Sequence, residues 1–142
     1  MKDLVKILQS LYFKMINTAS VGGGAGSIIK LELETNDYLF IYCTWRLEYN
    51  NMVLSTSDDD CQAITGLMAN AMKKIEGKKI IEIDISPQYD LTFILEESYK
   101  LKVFCNVSYS NEGYSNWELC SPQNNLTFTI NNHFNIDITT YY

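Results

Sequence analysis

The residues whose types could build a reactive site are His133, the acidic runs Asp58-Asp59-Asp60 and Glu96-Glu97, the cysteines Cys43, Cys61, Cys105 and Cys120, and the glycines of Gly22–Gly26. His133 is the only histidine, which excludes metal sites needing two imidazoles and leaves Ser–His or Cys–His schemes without a spaced partner. It lies in a polar Asn131-Asn132-His133 stretch and reads as a loop residue. Glu96 and Glu97 fall at an expected hairpin tip, where a carboxylate pair lacks the desolvation and rigid support of acid–base catalysis. Asp58, Asp59 and Asp60 lack the alternation, central glycine and terminal glutamate of a calcium loop. They precede a helical pattern, and capping its N-terminus is their simplest use; a leftover carboxylate would face a basic partner. The cysteines have no CxxC spacing and read as buried or half-buried free thiols. Gly22, Gly24 and Gly26 have the spacing of a phosphate loop, but no lysine follows, and the run leads from a helical pattern into a strand, the reverse of the nucleotide-binding order. A flexible helix-to-strand connector is the expectation. No nucleophile stands beside a base, so no catalytic residue, cofactor or metal is assigned and a non-enzyme is expected.

Surface chemistry is the stronger signal. The chain has 142 residues, 11 basic and 17 acidic, for a net charge of −6. Residues 103–142 contain no lysine or arginine, yet hold Glu112, Glu118, Asp137 and many aromatics. A polyanion-binding protein needs cations to replace phosphate counterions, so nucleic acid is not the expected partner. An acidic, ring-bearing surface suits a basic protein. Tyr49, Tyr109 and Tyr114 lie in or beside polar loops, where tyrosine gives contact area at low entropic cost. With Asp58, Asp59, Asp60, Glu112 and Glu118 they form the candidate partner-binding set; packing of these rings on the sheet is the competing reading. Trp45 and Trp117 are expected in the core. A second functional class is a small-ligand domain with an apolar pocket.

These residues must be positioned by a fold of about one domain, residues 1–142. With 46% apolar and 20% charged residues, the chain can bury a core. Leu4, Leu8, Leu11 and Met15 fall on a 3.6-residue stripe that predicts a helix over 2–16. Ile29, Leu31 and Leu33 alternate with charged residues and predict a strand. The run from Leu39 to Glu48 reads as one strand, partly apolar on both faces and therefore central, followed by a strand at 52–56. A helix is predicted over about 61–75, ended by Gly77. Strands follow with Ile81, Ile83 and Ile85, then Leu91, Phe93 and Leu95, then Leu101 to Val107, then 116–120, Leu126 to Ile130, and a weak one at 135–139. Sequential strands with short turns pair antiparallel. The predicted class is α+β: an antiparallel, meander-like curved sheet of about seven to nine strands, with an N-terminal and a middle helix. The first sixteen residues are too interrupted by Asp3, Lys6, Gln9 and Lys14 for a signal peptide, and the apolar run 38–43 is too short for a membrane span, so the cytoplasm is the expected location.

Several segments carry a family likeness: Gly26-Ser27-Ile28-Ile29-Lys30-Leu31-Glu32, Cys43-Thr44-Trp45-Arg46-Leu47-Glu48, Gly77-Lys78-Lys79-Ile80-Ile81-Glu82-Ile83, Asp90-Leu91-Thr92-Phe93, Leu101-Lys102-Val103-Phe104, and Asn116-Trp117-Glu118-Leu119 with Pro122. From Gly26 to Pro122 this layout resembles small bacterial immunity proteins encoded beside polymorphic or contact-dependent toxins. The resemblance implies a cytosolic protein that binds a cognate toxin domain, often a nuclease, and blocks it. It transfers no functional residue.

Overall fold

The helical stripe at the N-terminus ends sooner than its spacing predicts. In the computed structural model, which describes residues 1–62, 66–106 and 115–140, helix α1 spans Lys2–Ser10. Leu4, Ile7, Leu8 and Leu11 are buried. Each contributes roughly 1.5–3 kcal/mol, more than propensity alone gives a helix this short. Phe13 then turns left-handed at φ 66°, and residues 13–16 leave the helix to pair with 78–80. Phe13 N donates to Ile80 O at 2.6 Å, Ile80 N to Lys14 O at 2.9 Å and Ile16 N to Lys78 O at 2.9 Å. A sheet partner for this backbone overrides the periodicity that placed Met15 and Ile16 in the helix.

The strands in chain order are β1 (Ile16–Ser20), β2 (Ile29–Leu33), β3 (Tyr38–Ile41), β4 (Thr44–Tyr49) and β5 (Met52–Thr56). After α2 (Leu67–Lys73) come β6 (Ile80–Ile85), β7 (Leu91–Leu95), β8 (Tyr99–Phe104), β9 (Ser115–Ser121), β10 (Leu126–Asn131) and β11 (Ile136–Thr140). The class is α+β with two helices and antiparallel pairing, as predicted. The single sheet of seven to nine strands is not what forms: among the described residues, eleven strands make a six-stranded sheet, β1-β2-β3-β9-β10-β11, and a five-stranded sheet, β5-β4-β8-β7-β6.

The reason lies at Tyr42-Cys43. The run from Leu39 to Glu48 breaks there because both amides donate to Asn116 O, at 2.8 and 3.2 Å, so β3 stays in one sheet and β4 opens the other. Asn116 is buried. Its Oδ1 accepts from Asn106 N at 2.9 Å, and its Nδ2 donates to Asn106 O and Asn131 O, each at 3.1 Å. One residue thus holds the β3–β4 corner with its backbone carbonyl and ties Asn106, just past β8, to Asn131 with its side chain.

The inner faces of the two sheets share one core with the helices. Trp45 and Trp117 point inward and are fully buried, as their alternation predicts. Trp45 Nε1 donates to Ser27 O at 2.7 Å and Trp117 Nε1 to Tyr89 O at 2.9 Å, which satisfies the polar end of each ring. In β6 a bulge between Ile80 and Glu82 turns Ile81 outward against the predicted alternation, while Ile80 and Ile83 stay inside.

The middle helix is shorter than predicted, and the three aspartates do not cap it. Gly66 occupies its N-cap without a side-chain bond. Asp59 Oδ2 instead accepts from Thr56 N at 2.7 Å and Ser55 Oγ at 3.1 Å, and Asp60 Oδ1 accepts from Gln62 N at 3.0 Å. These carboxylates close the turn after β5. Gly66 is required by space: a Cβ there would meet Asp60 O at 2.7 Å and Gln62 N at 2.9 Å, both backbone atoms. Gly66→Ala should therefore cost about 2 kcal/mol, the overpacking range, read as a lower urea midpoint; an unchanged midpoint would show that this turn yields freely.

The glycine run joins β1 to β2, not a helix to a strand. Gly22 (φ 93°) lies against Cys61, and Gly23 N donates to Cys61 O at 2.6 Å. Cys43 and Cys120 are buried and Cys105 is half-buried, as expected, but Cys61 is exposed because it stands on this surface turn. Glu96 and Glu97 sit at the β7–β8 turn, as predicted. Glu97 pairs with Lys78 at 2.6 Å and Glu96 Oε1 accepts from Lys79 N at 2.7 Å. His133 is exposed in the β10–β11 turn, its amide bonded to Asn131 Oδ1 at 2.9 Å.

Candidate functional site

One face of the six-stranded sheet packs on the core and the other is open. Strand alternation puts Lys30 and Glu32 of β2, Tyr38 and Phe40 of β3, Glu118 of β9, Thr129 of β10 and Asp137 of β11 on the open side. The register places them side by side: Lys30 opposite Phe40, Phe40 opposite Glu118, Glu118 opposite Thr129 and Thr129 opposite Asp137. Tyr42, where the chain leaves β3, continues the row.

Tyr38, Phe40 and Tyr42 form a continuous aromatic ridge. The Tyr38 and Phe40 rings meet edge to face with centroids 5.7 Å apart, and Phe40 and Tyr42 stack at 6.1 Å. Lys30 Nζ lies 5.5 Å from the Tyr38 centroid and 5.6 Å from that of Phe40, within cation–π range. It also pairs with Glu32 at 2.9 Å. Bonds from Lys30 and Thr18 hold the Glu32 carboxyl below its ordinary value. Partial burial, then the Glu118 carboxylate, raise the Tyr42 phenol above its ordinary value, so Tyr42 stays a neutral hydrogen-bond donor at pH 7.

Two grooves flank this ridge. One, of about 380 Å³, is lined by Asn17, Lys30, Glu32, Asn36, Asp37 and Tyr38. Asp37 is buried at its floor: Oδ2 accepts from Thr35 Oγ1 at 2.7 Å, while Oδ1 has no hydrogen-bond partner among the described residues. The other, of about 260 Å³, runs between Phe40, Lys30 and Ile28 and the glycine rim at Val21-Gly22. Gly22 touches Cys61, so the acidic turn at 58–60 adjoins this second groove. By contrast, the apolar void under α1, between Leu8, Leu11, Leu31 and Phe93, holds only about 10 Å³. That is room for about one water and not for a metabolite.

No family model, curated protein or solved structure matches the chain.

The predicted contact residues divide accordingly. Glu118 lies on the open face beside the ridge. Asp58 and Asp60 keep exposed side chains near the glycine rim, with one Asp60 oxygen bonded to Gln62 N, whereas Asp59 is half-buried and engaged in its turn. Tyr49 does not join them. It shares the inward alternation of Trp45 and Leu47, and packs on Tyr99 with centroids 4.8 Å apart at the far end of the β4–β5 hairpin. Tyr109, Glu112 and Tyr114 lie outside the described residues. The sequence reading missed Tyr38, Phe40 and Tyr42 as surface residues. Their i, i+2, i+4 spacing is visible in the sequence, but a run partly apolar on both faces predicts a central strand and does not say which face is covered. Other exposed apolar side chains, Met52 and Val53 of β5 and Ile138 of β11, stand on edge strands. Among the described residues, no group of three or more His, Cys, Asp or Glu is placed to hold a metal ion, and no helix is long and apolar enough to cross a membrane.

Proposed function

We propose that this chain is an acidic, non-enzymatic binding protein of the immunity type, which neutralises a toxin domain by covering it with the open face of the six-stranded sheet. The observation that carries this reading is the Tyr38–Phe40–Tyr42 ridge with Glu32, Glu118 and Asp137 around it and Lys30 as the one basic side chain in the row. Aromatic centres rimmed by charge are the usual anatomy of a protein interface. The net charge of −6 speeds encounter with a basic surface such as that of a nuclease. A basic side chain laid into the groove beside Glu32 and Asp37 would form charge-assisted hydrogen bonds there.

The test is co-expression with the product of the adjacent gene, followed by titration of its purified toxin domain. Phe40→Ala is expected to weaken binding by about 2 kcal/mol, roughly 30-fold, and to restore toxicity to cells. Glu118→Lys should slow association at low salt, and Asp58→Asn with Asp60→Asn should do so to a smaller extent. Full protection by the Phe40→Ala, Glu118→Lys double variant would remove this face from the mechanism.

A further inference from the structure

We propose that Cys43 and Cys105 form a built-in disulfide site that closes by exchange with a small-molecule disulfide such as oxidised glutathione. The last register pair of β4 and β8 is Thr44 opposite Phe104, and the next pair outward is Cys43 opposite Cys105. By alternation both side chains fall on the face of Trp45 and Val103, which are themselves opposite one another and buried. The two backbones do not bond to each other at this pair: Cys43 N donates to Asn116 O at 3.2 Å and Cys105 N to Asp90 Oδ1 at 2.7 Å. Such a non-hydrogen-bonded antiparallel pair brings Cα atoms to about 4.5 Å, inside the roughly 4.4–6.8 Å span of disulfides. The neighbouring Cys105 thiol first, and burial second, push the Cys43 thiol up, while Cys105 Sγ donates to Tyr89 O at 3.2 Å.

Exposure sets the order of events. Cys105 is half-buried and Cys43 is buried, so Cys105 is the entry point. Its thiolate attacks one sulfur of RS–SR, forming a mixed disulfide and expelling RS⁻. Cys43 then loses its proton and attacks Cys105 Sγ, expelling the second RS⁻. Two protein S–H bonds and one RS–SR bond become one protein S–S bond and two RS–H: the protein is oxidised by two electrons and the small disulfide is reduced. The link would tie the β3–β4 corner to the end of β8 directly behind Tyr42. It does not depend on the proposed partner.

The test uses the full chain with Cys61→Ser, which removes the exposed competing thiol. The protein is equilibrated with oxidised and reduced glutathione, once folded and once during refolding from urea, so that access does not limit the result. The expected product has lost two hydrogens, maps as a Cys43–Cys105 peptide and melts roughly 5–10 °C higher. Adding Cys105→Ser should abolish all three changes. Both thiols still free to alkylation in both arms, glutathione adducts alone, or a link that lowers the melting temperature would each overturn the proposal.

Discussion

Trp117→Ala is expected to lower the unfolding free energy by about 4 kcal/mol, near the top of the large-to-small range. Trp117 is fully buried, lies in β9 between β3 and β10, and is opposite Ile41 on one side and Ile130 on the other. Its removal therefore opens a cavity in the middle of the six-stranded sheet, with little freedom for the neighbours to collapse into it. A second loss is polar. Tyr89 O accepts both Trp117 Nε1 and Cys105 Sγ, and Tyr89 holds a left-handed backbone at φ 67° that these bonds help fix. Trp117→Phe separates the two terms: it refills most of the volume but removes one donor, and should cost about 1–2 kcal/mol. Urea unfolding followed by circular dichroism measures both. A loss under about 1 kcal/mol for Trp117→Ala would show that the site repacks and that the ring is not central to the core.

Much of this core was legible in the sequence. Period-two alternation found β2, β7, β8 and β10, and it placed Trp45, Trp117, Phe128 and Leu101 inside. Failures occurred where backbone pairing decided the outcome. Residues 13–16 carry a helical stripe but are captured by the backbone of 78–80, a partner more than sixty residues away in sequence. The break at Tyr42-Cys43 has no glycine or proline to announce it, because it depends on a distant carbonyl, that of Asn116. A two-sheet arrangement could not be read from a run that alternates smoothly through its own corner. The bulge that turns Ile81 outward is likewise a property of the β6–β7 pairing.

The candidate face was half legible for a related reason. Charge composition pointed to a basic partner, and Glu118 proved to stand on the open side. Alternation alone cannot say whether the second face of a central strand is covered. Tyr38, Phe40 and Tyr42 look alike in sequence whether a helix lies over them or solvent does. Here the main helix contacts are with β1, β5 and β6, and on the outer face of β3 Tyr42 is exposed with Tyr38 and Phe40 half-buried. Loop tyrosines suit contact surfaces, and of these Tyr49 lies at the β4–β5 turn with its ring against Tyr99.

The outer face of the five-stranded sheet supplies the other large effect, from one carboxylate. Arg46 and Lys102 are direct cross-strand neighbours, a like-charge pair that destabilises a ladder. Glu48 resolves it: Oε2 accepts from Arg46 Nε at 2.7 Å and lies 3.3 Å from Lys102 Nζ. Burial alone would raise the Glu48 carboxyl, but the bonds and charges of Arg46 and Lys102 outweigh it and hold the group below its ordinary value. Glu48→Gln removes the charge and leaves two cations facing each other. Loss of one partner from a fully buried pair costs about 3–5 kcal/mol. Here the Arg46 and Lys102 side chains are 37% and 30% exposed, water screens them, and the expected cost falls to about 2 kcal/mol at pH 7. Because the folded state holds this carboxyl low, its contribution is present above the unfolded value of about 4.3 and is lost as pH falls through the lower folded value. The stability gap between the native chain and Glu48→Gln should therefore be constant from pH 7 to about 5 and shrink under more acidic conditions. A gap that stays constant down to pH 3 would mean that packing of the glutamate side chain, and not its charge, sustains this face.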